Sequence, residues 1–296
     1  MSVPSPEPVP GPLNPRQTRD LLATLRHSPR KALGQNFLVD ANIVRKSLEL
    51  AQVMPGDTVV EIGPGLGTLT TALLEAGACV HAIERDRVLA QHLRARIAPL
   101  APGRFFLCEG DAVERPLAGL PAASAAGPFK VVANLPYAIS TPWMDALLES
   151  PSLPVTMVLM LQREAAERLV AQPGSKALGA ISIALHSAYG RAPGHAVPSA
   201  CFFPRPRVDS VLLHLRRLAQ PRRLNPLTRR FLRALFLHRR KQLGSILKTI
   251  PASARPPALD AWLCRLPEWG VDATVRPEAV PFVAWRALDT AKHVGT

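Results

Sequence analysis

The sequence predicts an α/β protein: a doubly wound sheet with helices on both faces, followed by a smaller, all-helical C-terminal domain. Three observations carry this. From residue 58 to residue 161 the chain alternates apolar runs of strand length with segments of helical periodicity. Those runs, TVVEIG and VTMVLML among them, are apolar almost throughout, as strands buried on both faces of a parallel sheet must be. Beyond Pro221 the texture changes to arginine-rich helical segments.

Taken in order, residues 1 to 15 hold six prolines, a density that opposes helix and favours an extended, disordered tail. From Thr18, TRDLLATLRH spaces Leu21, Leu22 and Leu25 at helical intervals until Pro29. IVRKSLELAQV is a second helix, closed by the turn Pro55-Gly56-Asp57. Strands are expected at 58–63, 79–84, 105–112, 129–135 and 155–161. Between them TLTTALLEAG, VLAQHLRARI and PWMDALLES read as helices, the first ending at Gly77. REAAERLV and LGAISIALHSA are later helices, and 207–218 is a last strand. Residues 16–218 then form the sheet domain and 219–296 the helical one, with LTRRFLRALFLHRRKQLGSILKTI, LDAWLCRL and PFVAWRALDTA as its helices. The tryptophans Trp143, Trp262, Trp269 and Trp285 fall in helical patterns that place them in cores.

Composition narrows the function classes. With 296 residues, 47% of them hydrophobic, the chain can fill a large core and a smaller one. A formal charge of +14 points to a polyanionic partner, nucleic acid or an anionic membrane. No run of about 18 apolar residues is present, and the chain opens without a charged-then-apolar leader, so the expectation is a cytoplasmic protein. Cys79, Cys108, Cys201 and Cys264 lie far apart, which favours buried, reduced thiols over a zinc site or disulfides, and no metal is expected. From Arg191 to Lys248 fourteen basic residues face one acid, Asp209. Charge runs on helices are commonly solvated faces, but so lopsided a segment makes Arg229, Arg230, Arg239, Arg240 and Lys241 candidates for phosphate contact.

The candidate chemistry gathers at the carboxyl ends of the strands, where open α/β sheets bind ligands. Gly63-Pro64-Gly65-Leu66-Gly67 joins the first strand to a helix, and its missing side chains let a ligand lie against backbone. The third glycine comes one residue too early for the dinucleotide fingerprint G-x-G-x-x-G. Glu84 ends the next strand 21 positions after Gly63, near the ~20-residue offset at which a carboxylate meets ribose hydroxyls. Asp111 ends the strand after that. Either acid alone reads equally well as a solvated strand end or a helix cap; with the glycine loop they outline a nucleoside site, and a sulfonium cofactor would fit it. Asn134 leads Asn134-Leu135-Pro136-Tyr137 on the same edge. Pro136 stiffens the turn, Asn134 offers an amide oxygen and Tyr137 a flat face. Acceptors beside an aromatic plate suit the exocyclic amine of a base drawn out of its stack. Such an amine becomes acidic only once methylation begins, so positioning suffices and no charged base is needed. The plainer alternative is a stiff turn.

GQNFL (34–38), EIGPGLGTLT (61–70), IERD (83–86), GDA (110–112), NLPYAIST (134–141), FPRPRVDSVLLHL (203–215) and HRRKQL (238–243) occur together in this order. Over about residues 29 to 290 the chain thereby resembles the bacterial small-subunit ribosomal RNA adenine dimethyltransferases. That resemblance implies a Rossmann-like class I methyltransferase sheet, S-adenosyl-L-methionine as cofactor, and 16S rRNA of the immature small ribosomal subunit as partner, met by a monomer. It implies two adjacent adenosines in the 3′-terminal hairpin, each methylated twice on its amine. It also implies cofactor contacts at Asn36, Leu38, Gly63, Gly65, Glu84, Asp111 and Asn134, with Asn134 to Tyr137 as the catalytic motif. On residue grounds alone Asn36 is a turn residue. SAYG (187–190), the proline-rich head and Arg205 depart from the family pattern, none of them at the site. A large-subunit adenine methyltransferase of the resistance type would share fold and site. A non-catalytic assembly factor that merely keeps the pocket is the alternative from another class, against which the intact Asn134 to Tyr137 motif argues.

Overall fold

The computed structural model describes residues 12–290, apart from the side chains of Tyr137 and Thr290; of the proline-rich head, residues 1–11 lie outside the described residues. The first helix, α1 (Pro15–Thr24), begins three residues before the Thr18 start that periodicity gives. The reason is a capping box: the Asn14 side chain accepts from the Gln17 amide, the Gln17 side chain accepts from the Asn14 amide, and Pro15 takes the first helical position, where its missing N–H costs nothing.

Strand β1 (Phe37–Leu38) and helix α2 (Ala41–Ala51) lead into the alternating region. There β2 (Thr58–Ile62), α3 (Thr68–Glu75), β3 (Cys79–Glu84), α4 (Arg87–Arg96), β4 (Phe105–Glu109), α5 (Ala122–Ala126), β5 (Phe129–Asn134), α6 (Ser140–Glu149) and β6 (Thr156–Gln162) follow in turn. β4, β3, β2, β5 and β6 lie side by side in that order, all parallel. The order reverses between β2 and β5, which makes their carboxyl ends the topological switch point. Every side chain from Thr156 to Leu161 is buried, which is why that run carries no alternation.

Past β6 the sheet becomes mixed. After α7 (Arg163–Leu169) and α8 (Ala180–Ala188) come β7 (Tyr189–Val197), β8 (Phe202–Phe203) and β9 (Ser210–Arg217). β9 runs antiparallel to β6, and β7 closes the seven-stranded sheet. β7 has no signature in the sequence: its exposed middle carries Pro193 and Gly194, which only an edge strand tolerates. The two-residue pair of β1 with β8, Phe37 opposite Phe203 and Leu38 opposite Phe202, is a separate small sheet.

The chain divides into two compact units. One takes the chain up to Ala165 together with Arg191–Arg217, the other Ala166–Gly190 together with the chain from Leu218 on. The return at Leu218 lies beside the expected boundary at 219, and residues 166–190 group with the C-terminal helices. In that second unit the expected helix over 227–250 is two: α9 (Pro226–Leu237) and α10 (Leu243–Leu247). The break at 238–242 has a backbone cause, since the Leu243 and Gly244 amides bond to the Val275 and Ala273 carbonyls instead of continuing the helix. α11 (Leu259–Cys264) and α12 (Phe282–Thr290) complete it, with Trp262 stacked on Trp285 at 5.1 Å in the core. Trp143 is buried as well, whereas Trp269 is half-buried under the Arg265 guanidinium. Cys264 is exposed, against the expectation of four sheltered thiols.

Candidate functional site

The glycine turn after β2, the ends of β3 and β5, the segment after β4 and residues 32–38 enclose one cleft of about 1050 Å³, its open mouth included. Asn36, Leu38, Gly63, Gly65, Glu84, Asp111, Asn134, Leu135 and Pro136 all line it, so the cofactor and catalytic candidates with described side chains meet in one place. Tyr137 opens a single 3₁₀ turn, Tyr137–Ile139, and its proposed stacking face lies outside the described residues.

Two of the glycines here show why no other residue serves. Gly63 has φ +67, and a Cβ on it would stand 3.4 Å from the Pro136 ring, so the turn and the Asn-Leu-Pro segment are neighbours across the switch point. Gly65 has φ +63, and its Cβ would meet the Phe37 ring at 3.2 Å.

The Asn134 side chain is set from outside its own strand. Its Nδ2 donates to the Asn36 carbonyl at 2.9 Å. A carbonyl can only accept, so the amide nitrogen must be the atom facing it and Oδ1 remains as the acceptor. Leu135 is fully buried and its amide extends the ladder to the Met160 carbonyl, anchoring the motif behind Asn134.

The acids carry structural bonds as well as lining the cleft. Glu84, 6% exposed, accepts from the Gly65 amide at 3.0 Å and the Asp86 amide at 2.9 Å. Burial raises its pKa, and those backbone donors oppose the rise. Asp111 pairs with Arg85 at 3.1 Å and accepts from the Val113 amide at 2.8 Å. The strand-end and ligand readings of these acids therefore do not compete, because each carboxylate keeps further lone pairs for a guest. Glu61 is a lining residue that sequence reasoning passed over. It is 1% exposed, accepts from the Thr70 hydroxyl at 2.7 Å, and burial pushes its pKa up to about 8. The signal was available: an acid inside an otherwise apolar strand, directly before a glycine turn, has to be held by something. Gln35 lines the cleft too, and Asp86 caps α4; sequence reasoning gave neither a role.

The arginine candidates belong to the second unit and divide by exposure. Arg230, Arg240 and Lys241 are exposed, and so are Arg233 and Lys248. Arg239 donates to the Leu178 carbonyl at 3.2 Å and lies 3.9 Å from Glu278. Arg229 is only 4% exposed, which corrects its place in a phosphate-contacting row: the hydrophobic face of α9 rotates it inward with Phe231, Leu232 and Leu235. Among the described residues, no group of three or more His, Cys, Asp or Glu side chains is placed to hold a metal ion, and no helix is long and apolar enough to cross a membrane.

Parallel strands ordered about a switch point, a glycine turn after the first of them and an acid at the end of the next define a Rossmann-like, class I methyltransferase fold with a helical C-terminal part. Residues 26–259 match the model of the ribosomal RNA adenine dimethylase family, and the chain belongs to that family. It is 60% identical over 277 residues to ribosomal RNA small subunit methyltransferase A of Opitutus terrae, covering 94% of this chain and 98% of that one. With the protein of the same name from Magnetococcus marinus it shares 40% over 264 residues, 88% of this chain and 91% of that one. Among solved structures it is similar to a dimethyladenosine transferase from Plasmodium falciparum, at 25% identity and TM-score 0.66 over 85% of this chain and 95% of that one. The 23S rRNA methyltransferase ErmE is likewise 25% identical, with TM-score 0.60 over 86% of this chain and 98% of that one.

Proposed function

We propose that the protein is an S-adenosylmethionine-dependent methyltransferase that dimethylates the amines of two adjacent adenosines in the 3′-terminal hairpin of 16S rRNA, acting as a cytoplasmic monomer on the immature small subunit. The observation that carries this is the Asn134 amide, held by the Asn36 carbonyl so that its oxygen is the acceptor, beside the glycine turn of the same cleft.

The lining fits the cofactor. Among the described lining residues, Glu61, Glu84 and Asp111 face a single base, Arg85, which is itself paired with Asp111. An acidic cleft favours a sulfonium cation and disfavours a pyrophosphate. Gly63 and Gly65 offer bare backbone to the ligand, Glu84 its remaining lone pairs to ribose hydroxyls, and Asp111 an acceptor for the adenine amine. When bound, S-adenosylmethionine would supply an electrophilic methyl group.

This chain's own residues do the rest by placement. The Asn134 oxygen accepts from one N–H of the target amine, and backbone carbonyls of the stiff Leu135-Pro136 turn stand ready for the other. Accepting both N–H bonds returns electron density from the ring to nitrogen and fixes the lone pair toward the donor side of the cleft. A methylated amine nitrogen is positively charged and acidic enough to give its proton to solvent water, so no side chain has to act as a strong base. The exposed bases of α9, Arg230 and Arg233, and of the break after it, Arg240 and Lys241, supply phosphate contacts.

The test is mass spectrometry of the 16S hairpin from cells with and without the gene, together with Asn134→Ala assayed on undermodified subunits. We expect four methyl groups to depend on the gene and the variant to lose about 100-fold in kcat. An unmodified hairpin in both strains, or a fully active variant, overturns the assignment.

A further inference from the structure

Asn134 owes its orientation to a backbone carbonyl 98 positions away, so whatever fixes that carbonyl shares in the chemistry. Residues 34–36 form no regular element, yet the side chain of Gln35 is tied at both ends. Its Oε1 accepts from the Arg30 amide at 2.7 Å and lies 3.1 Å from His27 Nε2. Its Nε2 donates to Asp86 Oδ2 at 3.1 Å. Because Gln35 Oε1 can only accept, the proton on His27 sits on Nε2. Asp86 is 1% exposed, and its other oxygen caps α4 through the Val88 and Leu89 amides. The Asp86 amide in turn donates to Glu84, whose second oxygen holds Gly65. A continuous set of bonds thus runs from the glycine turn through Glu84, Asp86 and Gln35 to the loop whose Asn36 carbonyl grips Asn134.

We infer that Gln35, clamped to Asp86, is a positioning residue that keeps the Asn134 amide from turning over, and that it ties the donor half of the cleft to the acceptor half. The physical stake is the near-symmetry of a carboxamide. Rotated by half a turn, Asn134 would present N–H groups to an amine that needs an acceptor, and the site would repel its substrate while keeping its shape. The Asn36 carbonyl is what distinguishes the two rotamers. With the Gln35 clamp gone, the loop loses three of its side-chain anchors, and that carbonyl is no longer held against Asn134. The inference rests on the methyl-transfer reading.

Two variants test it. Gln35→Ala removes the clamp, and a fall in kcat of about 10- to 100-fold is expected, with the donor Kd from calorimetry within about twofold of wild type. Gln35→Glu keeps the acceptor facing the Arg30 amide but can donate to Asp86 only when protonated. The titratable and charged groups facing that position are the His27 imidazole, the Arg30 guanidinium and the Asp86 carboxyl, and the buried neighbouring carboxylate holds the new acid's pKa up. Its kcat, divided by that of wild type at each pH, should therefore rise as pH falls from 8 to 6. A merely structural role would instead lower the melting temperature and leave that ratio flat. A flat ratio, an unchanged kcat in Gln35→Ala, or a donor Kd that weakens in step with kcat overturns the inference. An inactive wild-type protein would instead count against the methyl-transfer reading itself.

Discussion

Glu61 shows how much one buried carboxyl group can cost. It lies 1% exposed at the end of β2, receives the Thr70 hydroxyl, and feels the charge of Glu84 in the same cleft. Burial lifts its pKa from 4.5 to about 8, so the folded protein holds a proton there that the unfolded chain releases. The sign follows from linkage: the native state binds more protons than the unfolded state between these values, so the group's contribution to stability is complete below about pH 4.5 and is lost as pH rises toward 8. Glu61→Gln retains an acceptor for Thr70 and cannot ionise. We expect its melting temperature to gain on wild type steadily from pH 5 to pH 8, by an amount worth on the order of a few kcal/mol at the alkaline end. Thermal melts at matched ionic strength check this, and parallel curves for the two proteins would contradict it. The same burial suits a positively charged guest, whose arrival would favour the ionised form.

At the scale of elements, the site is assembled by loops whose geometry is fixed by close packing against other elements. Gly65 is held at φ +63 by the hydrogen bond its backbone N–H donates to Glu84, and leaves room for the Phe37 ring of β1. Phe37 is in turn held by its pairing with Phe203 in β8. Gly65→Ala would put a side chain into a left-handed conformation and against that ring, at a cost of about 1–2 kcal/mol. We expect a melting temperature lower by several degrees and donor affinity reduced by about tenfold or more; an alanine variant with unchanged Kd in calorimetry would show that the turn does not touch the donor. The sequence made the parallel strands, the glycine turn and Glu84 at its strand end legible because each follows from local chemistry: continuous apolarity, missing Cβ atoms, an offset along one βαβ unit; the strand expected over 105–112 stops at Glu109, so Asp111 lies two residues past it. It did not reveal β1, β7 or β8, since two-residue and edge strands are defined by partners far along the chain. Nor did it reveal the Gln35–Asp86 bond or the grip of Asn36 on Asn134, which join positions 51 and 98 residues apart. The family resemblance named Asn36; no spacing did.

For the molecule as a whole, the charge of +14 acquires meaning only once exposure is known. The segment from Arg191 to Lys248 carries the lopsided charge, yet its members differ in what they can do. Arg230, Arg233, Arg240, Lys241 and Lys248 are exposed and can displace condensed counterions from a phosphodiester chain, whereas Arg229 is buried in the second unit. Two classes of response to charge removal therefore follow. Replacing an exposed member by Gln should lower the slope of log affinity against log salt by about 0.7 to 0.9 for each phosphate left without its cation, while the melting temperature stays put. Replacing Arg229 by Ala should do the reverse: the salt slope of the folded protein is unchanged, and the fold loses roughly 2–4 kcal/mol because a long, 4% exposed side chain is cut out of the packed face it shares with Phe231, Leu232 and Leu235. Filter binding of a 16S hairpin between about 50 and 200 mM salt, paired with thermal melts of each variant, separates the two. If Arg229→Ala shifted the slope as Arg230→Gln does, the burial of Arg229 would not describe the protein that meets RNA, and α9 would have to turn on binding.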